Sequence, residues 1–154
     1  MERHLKDLIL ILLQKLGLKV NFINTSFDGI LGKIGKDYDV VCSAVTINPT
    51  RKKAVLFSTP YITNYQTVVV KKGSDLKINS LKDLDGKSVG VQKGTTSDQL
   101  MSEYKSTKTI NVEVAANDKL LNCFTQLTNG EIDAVVVDST VADGFVAKNP
   151  DKYE

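Results

Sequence analysis

Three short stretches of this chain carry groups that could act on a small molecule. Residues 43–51 read SAVTINPTR and end in Arg51. Asn48 suits the cap of a helix and Pro49 its first position, so Arg51 falls in the first turn. The helix dipole disfavours a cation there by roughly 0.3–1 kcal/mol, which asks for a compensating partner. Residues 92–97, QKGTTS, follow a buried apolar run and open a second helix, where backbone N–H groups accept anions. Beyond a third apolar run, AVVV, come Asp138 and Ser139. One fixed cation, one set of backbone donors and one fixed anion together suit a small zwitterion. Its carboxylate would take a bidentate bond from Arg51 and backbone bonds near Thr46 and Thr96, and its ammonium would pair with Asp138. Each group also has a plainer explanation: a surface ion pair for Arg51, capping of the next helix for Asp138, and an ordinary strand-to-helix turn for the GTTS loop.

Other chemistries find less support. The net charge is +2 over 154 residues, and the lysines alternate with acids without forming the clustered basic patch of a nucleic-acid footprint. No nucleic-acid partner is expected. His4 is the only histidine, expected on a helix surface, so a Ser-His-Asp or zinc-histidine enzyme is hard to assemble. Cys42 and Cys123 each sit in an apolar run with no CxxC spacing, and read as buried thiols acting as small hydrophobes. No catalytic residue, metal or cofactor is assigned. The LILILL run at 8–13 lacks the small-residue cleavage site of a signal peptide and falls short of the roughly 18 apolar residues of a membrane span. It reads as an amphipathic helix from Leu5 to Leu16, stopped by Gly17.

The elements that must position these groups alternate between helix and strand. Strands are expected at Lys19–Ile23 (KVNFI), Tyr38–Val45 (YDVVCSAV), Thr67–Lys71 (TVVVK), Ser88–Gln92 (SVGVQ), Val112–Val114 and Ala134–Val137. Short helices are expected at Phe27–Lys33 and Ser80–Leu84, and longer ones at Asp98–Tyr104, Asp118–Thr128 (closed by Asn129-Gly130) and Thr140–Lys148. Short Val/Ile runs alternating with helices argue for α/β architecture with largely parallel sheets. Ligands of such sheets sit beyond the carboxyl ends of strands, which is where the three stretches fall. A faint echo between 35–46 (GKDYDVVCSAVT) and 129–140 (NGEIDAVVVDST) fits two similar lobes, or chance between two buried strands.

FDGIL (27–31), YDVVCSAVTINPTRKKAVLFSTPY (38–61), LKDLDGKSVGVQKGTTSDQL (81–100) and NGEIDAVVVDSTVADGFVAKNP (129–150) resemble the bacterial extracellular solute-binding proteins that capture polar amino acids for ABC importers. The resemblance covers nearly the whole chain. It implies a type II periplasmic-binding-protein fold: two α/β lobes that close on a ligand in a cleft. Here lobe 1 would span 1–66, a hinge crossing 67–72 and lobe 2 73–154. By the same resemblance Arg51 clamps the ligand carboxylate, Ala44 offers its carbonyl to the ammonium and Thr46 its N–H and hydroxyl. Thr96 gives a backbone N–H, Thr95 and Gln92 line the cleft, Asp138 holds the ammonium, and Phe27 lies against the ligand side chain. The implied partners are a free amino acid and the membrane permease of an importer, and the implied location of the complete protein is periplasmic or extracellular, at the membrane.

The chain departs from that pattern at both ends. It starts at the helix that follows the family's first strand, and stops before the return crossing from the second lobe. It therefore reads as an incomplete fold, truncated at both ends and without an export signal. Uncovered strand edges invite pairing, so a lobe-swapped homodimer is one expectation. Dehydratases and murein lyases with related lobes, and the sensing domains of channels or histidine kinases, are the competing functional classes. An enzyme would need a general acid or base in the cleft; Asp138 is the one candidate, with no second carboxylate or histidine evident beside it.

Overall fold

The structure is a computed structural model that describes residues 2–154, with side chains from residue 7 onward. The expectation for His4 lies outside the described side chains. The chain divides into two compact units, Met1–Thr63 and Asn64–Glu154.

In the first unit, helix α1 spans Glu2–Lys15. It closes as the sequence implies, on Gly17 in the left-handed region (φ 71). There the N–H of Gly17 meets the carbonyl of Gln14 at 2.9 Å and that of Leu18 meets Leu13 at 3.0 Å, a paired closure that satisfies the last carbonyls. The short helix expected over 27–33 is a single 3-10 turn, Ile30–Lys33. Tyr38 fastens it by donating its hydroxyl to the carbonyl of Ile30 at 2.5 Å. Helix α2 is one turn, Pro49–Lys52.

The strands expected at Lys19–Ile23 and Tyr38–Val45 do not form. A strand needs a neighbour to complete its ladder and a core to bury its face. Among the described residues of this unit the single bridge joins Ile34 and Tyr38. Phe22, Ile23 and Val40 stay about half exposed, at 48%, 53% and 56%, so the apolar runs that signalled strands are only partly covered. With 38–45 out of a sheet, the echo with 129–140 is not realised in secondary structure.

The second unit holds the core. Strands β1 (Gln66–Val70), β2 (Ser88–Gln92), β3 (Glu113–Asn117) and β4 (Ala134–Asp138) lie in the order β1-β4-β2-β3. β2 runs parallel to both β3 and β4, while β1 is antiparallel to β4, so the sheet is mixed and not wholly parallel. Residues 67–70, within the stretch expected to cross between lobes, are part of β1 in this sheet. Helices α3 (Thr96–Ser106), α4 (Leu120–Asn129) and α5 (Ser139–Lys148) follow β2, β3 and β4.

Alternation along the strands divides the apolar side chains between two faces. Val69, Val135 and Val137 join Cys123, Phe124 and Leu127 of α4 and Ala142 of α5. Val70, Val89, Val91, Ala134 and Val136 join Leu84 and Met101. Phe124 anchors the first of these cores. Its ring stacks on Phe145 with centroids 3.9 Å apart and meets Tyr153 edge-on at 5.1 Å. Helix α4 ends on Gly130 in the left-handed region (φ 76), as the Asn129-Gly130 pair implies. Residues 152–154 run back along β1, with reciprocal backbone bonds between Val70 and Glu154 at 2.9 and 3.1 Å. Cys123 is buried, Cys42 is partly buried, and both are free thiols.

Candidate ligand-binding site

In the first unit the site residues gather around Arg51. Asn48 caps α2, its Oδ1 accepting the N–H of Arg51 at 2.8 Å, and Pro49 opens the helix. The capped turn fixes the Arg51 backbone, and its side chain turns inward, leaving the residue only 8% exposed. Nη1 donates to the carbonyl of Thr46 at 3.0 Å. The guanidinium carbon lies 5.7 Å from the centroid of the Phe27 ring, within cation–π range. The fold thus brings Phe27, Thr46 and Arg51 together. An arginine held on a carbonyl and against an aromatic face presents its planar fork in a set orientation, the geometry that carboxylates match.

Ala44, two residues before Thr46, takes a costly conformation. Its φ of 49 is left-handed, which for a residue with a Cβ costs on the order of 1 kcal/mol or more. Its N–H donates to the Tyr61 hydroxyl at 3.2 Å. Burial, with Cys42 nearby, pushes the Tyr61 hydroxyl above its ordinary pKa, while the Ala44 N–H pulls the other way. Tyr61, within the FSTPY stretch, thus holds the Ala44 backbone, a contact that the sequence does not signal.

In the second unit the anchor is Asp138, the last residue of β4. It occupies the cap position of α5, yet its side chain makes no capping bond. Oδ1 instead accepts from Gln66 Nε2 at 2.7 Å. The same amide nitrogen reaches Thr96 Oγ1 at 3.3 Å, and the amide oxygen accepts from the Ser97 hydroxyl at 2.5 Å. Asp138 and Thr96 are therefore joined through a residue that sequence reasoning missed. Gln66 directly precedes the TVVVK run, and nothing in the sequence states the register that sets it opposite Asp138. Ser97, 3% exposed, lies in the GTTS loop, where a serine reads equally well as part of an ordinary turn.

Thr95 and Gln92 are engaged locally. Thr95 caps α3, accepting the Asp98 N–H at 3.3 Å and donating to the carbonyl of Gln92 at 2.6 Å. The Asp98 carboxylate returns to the Gly94 N–H at 2.9 Å, closing the loop from both sides. The Gln92 side chain donates to the carbonyl of Asp118 at 3.3 Å, across the loop before α4. These bonds give the strand-to-helix turn its shape and set where α3 begins.

Residues 6–126 match the family described as bacterial extracellular solute-binding proteins, family 3. The chain belongs to that family. It is 33% identical over 147 residues to a probable histidine-binding protein of Campylobacter jejuni, covering 94% of this chain and 55% of that protein. It is 32% identical over 146 residues to the ABC transporter arginine-binding protein 1 of Escherichia coli, covering 94% and 57%. Among solved structures, holo ArgBP from T. maritima superposes with a TM-score of 0.89 at 40% identity, over 97% of this chain and 64% of that one. The fold is thus that of the periplasmic binding proteins, and the chain spans about half the length of the curated relatives it matches. Both of those relatives are named as binding proteins, not as enzymes. Among the described residues no helix is long and apolar enough to cross a membrane.

Proposed function

We propose that this chain belongs to the amino-acid-capturing receptor of an ABC importer, and that its ligand is a zwitterionic amino acid bound unchanged. The observation that carries the reading is the buried guanidinium of Arg51, held on the carbonyl of Thr46 and against Phe27, which suits a carboxylate; taken by itself in the second unit, the carboxylate of Asp138, oriented by Gln66, suits an ammonium. A free amino acid is the small molecule that presents the complement of both. In this reading Arg51 holds the α-carboxylate, with help from the N–H and hydroxyl of Thr46 and the N–H of Thr96. Asp138 and the carbonyl of Ala44 hold the α-ammonium. Phe27 meets the ligand side chain, and Gln92 and Thr95 line the site beyond it.

The reading needs no catalytic group. Asp138 is committed on one oxygen to Gln66, an arrangement suited to holding a cation in place more than to shuttling a proton. The permease of an importer is the proposed partner, and the periplasm or the cell exterior the proposed location, in keeping with the family's description. The direct test is calorimetric titration with L-arginine and L-histidine beside their decarboxylated counterparts, agmatine and histamine. Binding of an amino acid with loss of affinity for its amine supports the reading. Turnover of the amino acid, or equal affinity for both, contradicts it.

A further inference from the structure

Gln66 lies in the last pair of the β1–β4 ladder, directly opposite Asp138. Paired residues of an antiparallel ladder project from the same face, so register alone brings amide and carboxylate together. Just beyond that pair the two chains are tied again: the Ser139 N–H donates to the carbonyl of Tyr65 at 2.8 Å, and the Tyr65 N–H to the Ser139 hydroxyl at 3.3 Å. The ladder end is therefore pinned on both sides of the Gln66–Asp138 contact.

The orientation of the amide is set by its neighbours. A carboxylate only accepts, so the NH2 group of Gln66 must face Asp138. Ser97, buried at the start of α3, gives its single hydroxyl hydrogen to the amide oxygen, which holds the group against a flip. The NH2 can then serve two acceptors, Asp138 Oδ1 and Thr96 Oγ1. One amide thus joins the ends of three elements: the start of β1, the end of β4 and the first turn of α3.

We propose that Gln66 is a positioning residue, which acts through Asp138 and Thr96 to set the recognition of an α-ammonium group. With Oδ1 committed to the amide, the carboxylate is held in one rotamer, and Oδ2 is the oxygen presented to a ligand cation. Thr96, accepting from the amide, keeps its own hydroxyl hydrogen to donate. This inference rests on the reading of Asp138 as the ammonium partner, and its test separates the two.

The chain and its Gln66→Met, Asp138→Asn and doubly substituted forms are titrated with L-arginine and with its deamino counterpart, a guanidino acid that lacks the α-ammonium. Methionine keeps the length of the side chain and removes the amide. A hydrogen bond to a charged group is worth about 1.5–3 kcal/mol, so Gln66→Met is expected to weaken L-arginine by about tenfold or more. The deamino acid should be left within about twofold. A role in folding alone would weaken both ligands together. In the double variant the Gln66 effect should vanish, because the group it positions is gone. If Asp138→Asn removes the preference for the α-ammonium and Gln66→Met leaves it intact, the inference falls and the reading of Asp138 stands. If Asp138→Asn leaves the preference unchanged, both fall. A ligand-free measurement runs beside these titrations. In the unliganded protein the Gln66 side-chain NH2 should exchange its hydrogens about tenfold more slowly than that of exposed Gln99, and Asp138→Ala should shrink the difference, since only the longer bond to Thr96 then remains. Unprotected Gln66 amide hydrogens would overturn the proposal whatever the ligand.

Discussion

Replacing Gly90 by alanine tests how the second unit holds its site loops. Gly90 sits mid-strand in β2, paired with Ala115 on one side and Val135 on the other. A Cβ placed there would meet Ile132 Cδ1 at 2.5 Å, Cys123 Cβ at 3.1 Å and Cys123 Cα at 3.6 Å. The first contact is with the tip of a side chain, which can turn aside. The second is with the body of α4, which must shift by a few tenths of an ångström. Overpacking of this kind costs about 1–3 kcal/mol. The substitution also removes the conformational freedom of glycine from the unfolded chain, which offsets about 0.4–1 kcal/mol. The net expectation is a loss of about 0.5–2 kcal/mol. With a urea slope of about 1–3 kcal/mol per molar, the midpoint followed by circular dichroism should fall by roughly 0.2–2 M. Ile132→Val deletes the Cδ1 methyl that the new Cβ strikes. It should cost about 0.5–1.5 kcal/mol alone and less than that beside Gly90→Ala. An alanine variant as stable as the parent would refute the claim that α4 lies directly on the glycine backbone, and strict additivity of the two changes would refute the claim that Ile132 covers it.

Two further predictions concern helix ends. Lys108 holds φ 56 just past α3, where its N–H meets the carbonyl of Lys105 at 3.2 Å and the Thr109 N–H meets that of Tyr104 at 2.9 Å; glycine is the residue suited to that position, so Lys108→Gly should raise stability by up to about 1 kcal/mol in the same titration, and a loss would contradict it. The Asp83 carboxyl is held below its ordinary pKa, chiefly by the N–H groups of Asn79 and Ser80. A depressed folded-state pKa contributes stability that is present above the unfolded value of about 3.9 and is lost as pH falls through the folded value. Asp83→Asn should therefore lower the melting temperature at neutral pH and bring it closer to the parent as pH drops below about 4, whereas a constant difference across pH would show that the carboxylate is not the cause.

What could be read from the sequence followed how local each signal was. SVGVQ forms β2 over the expected residues, because a short Val-rich run bounded by Lys87 and the KGTTS loop carries its own boundaries. Asn129-Gly130 ends α4 because glycine alone adopts the left-handed turn without cost. Asn48-Pro49 opens α2 because cap and first position are nearest-neighbour matters. Tyr38–Val45 has as strong an apolar run as Ala134–Val137, yet only the latter is a strand. β4 has β1 and β2 on its two sides, whereas 38–45 has only the isolated Ile34–Tyr38 bridge among the described residues. Strand formation is a property of pairs, which a single run does not state. The same reason hid Gln66: its contact with Asp138 comes from the β1–β4 register, and the hold on its amide from a serine thirty-one residues away. Arg51 and Asp138 stand out as candidates because a charge beside a helix start or a strand end is conspicuous in one dimension. Their neighbours do not, because a hydroxyl or an amide in a turn looks the same whether it shapes the loop, as Thr95 does, or orients a carboxylate, as Gln66 does.

The central claim is that Arg51 fixes the carboxylate of an amino acid. It is tested most directly by titrating the chain and its Arg51→Ala and Arg51→Lys forms with L-arginine, L-histidine, agmatine and histamine. Breaking a desolvated charge pair costs about 2–5 kcal/mol, so the parent should favour at least one amino acid over its amine by about thirtyfold or more. Arg51→Ala should erase that preference while the melting temperature of the free protein stays near the parent's. Arg51→Lys should recover little of it, since an ammonium cannot reproduce the two-pronged bond. An Arg51→Ala chain that still binds the amino acid as tightly as the parent, or a parent that binds none of the four or does not distinguish acid from amine, would contradict the account.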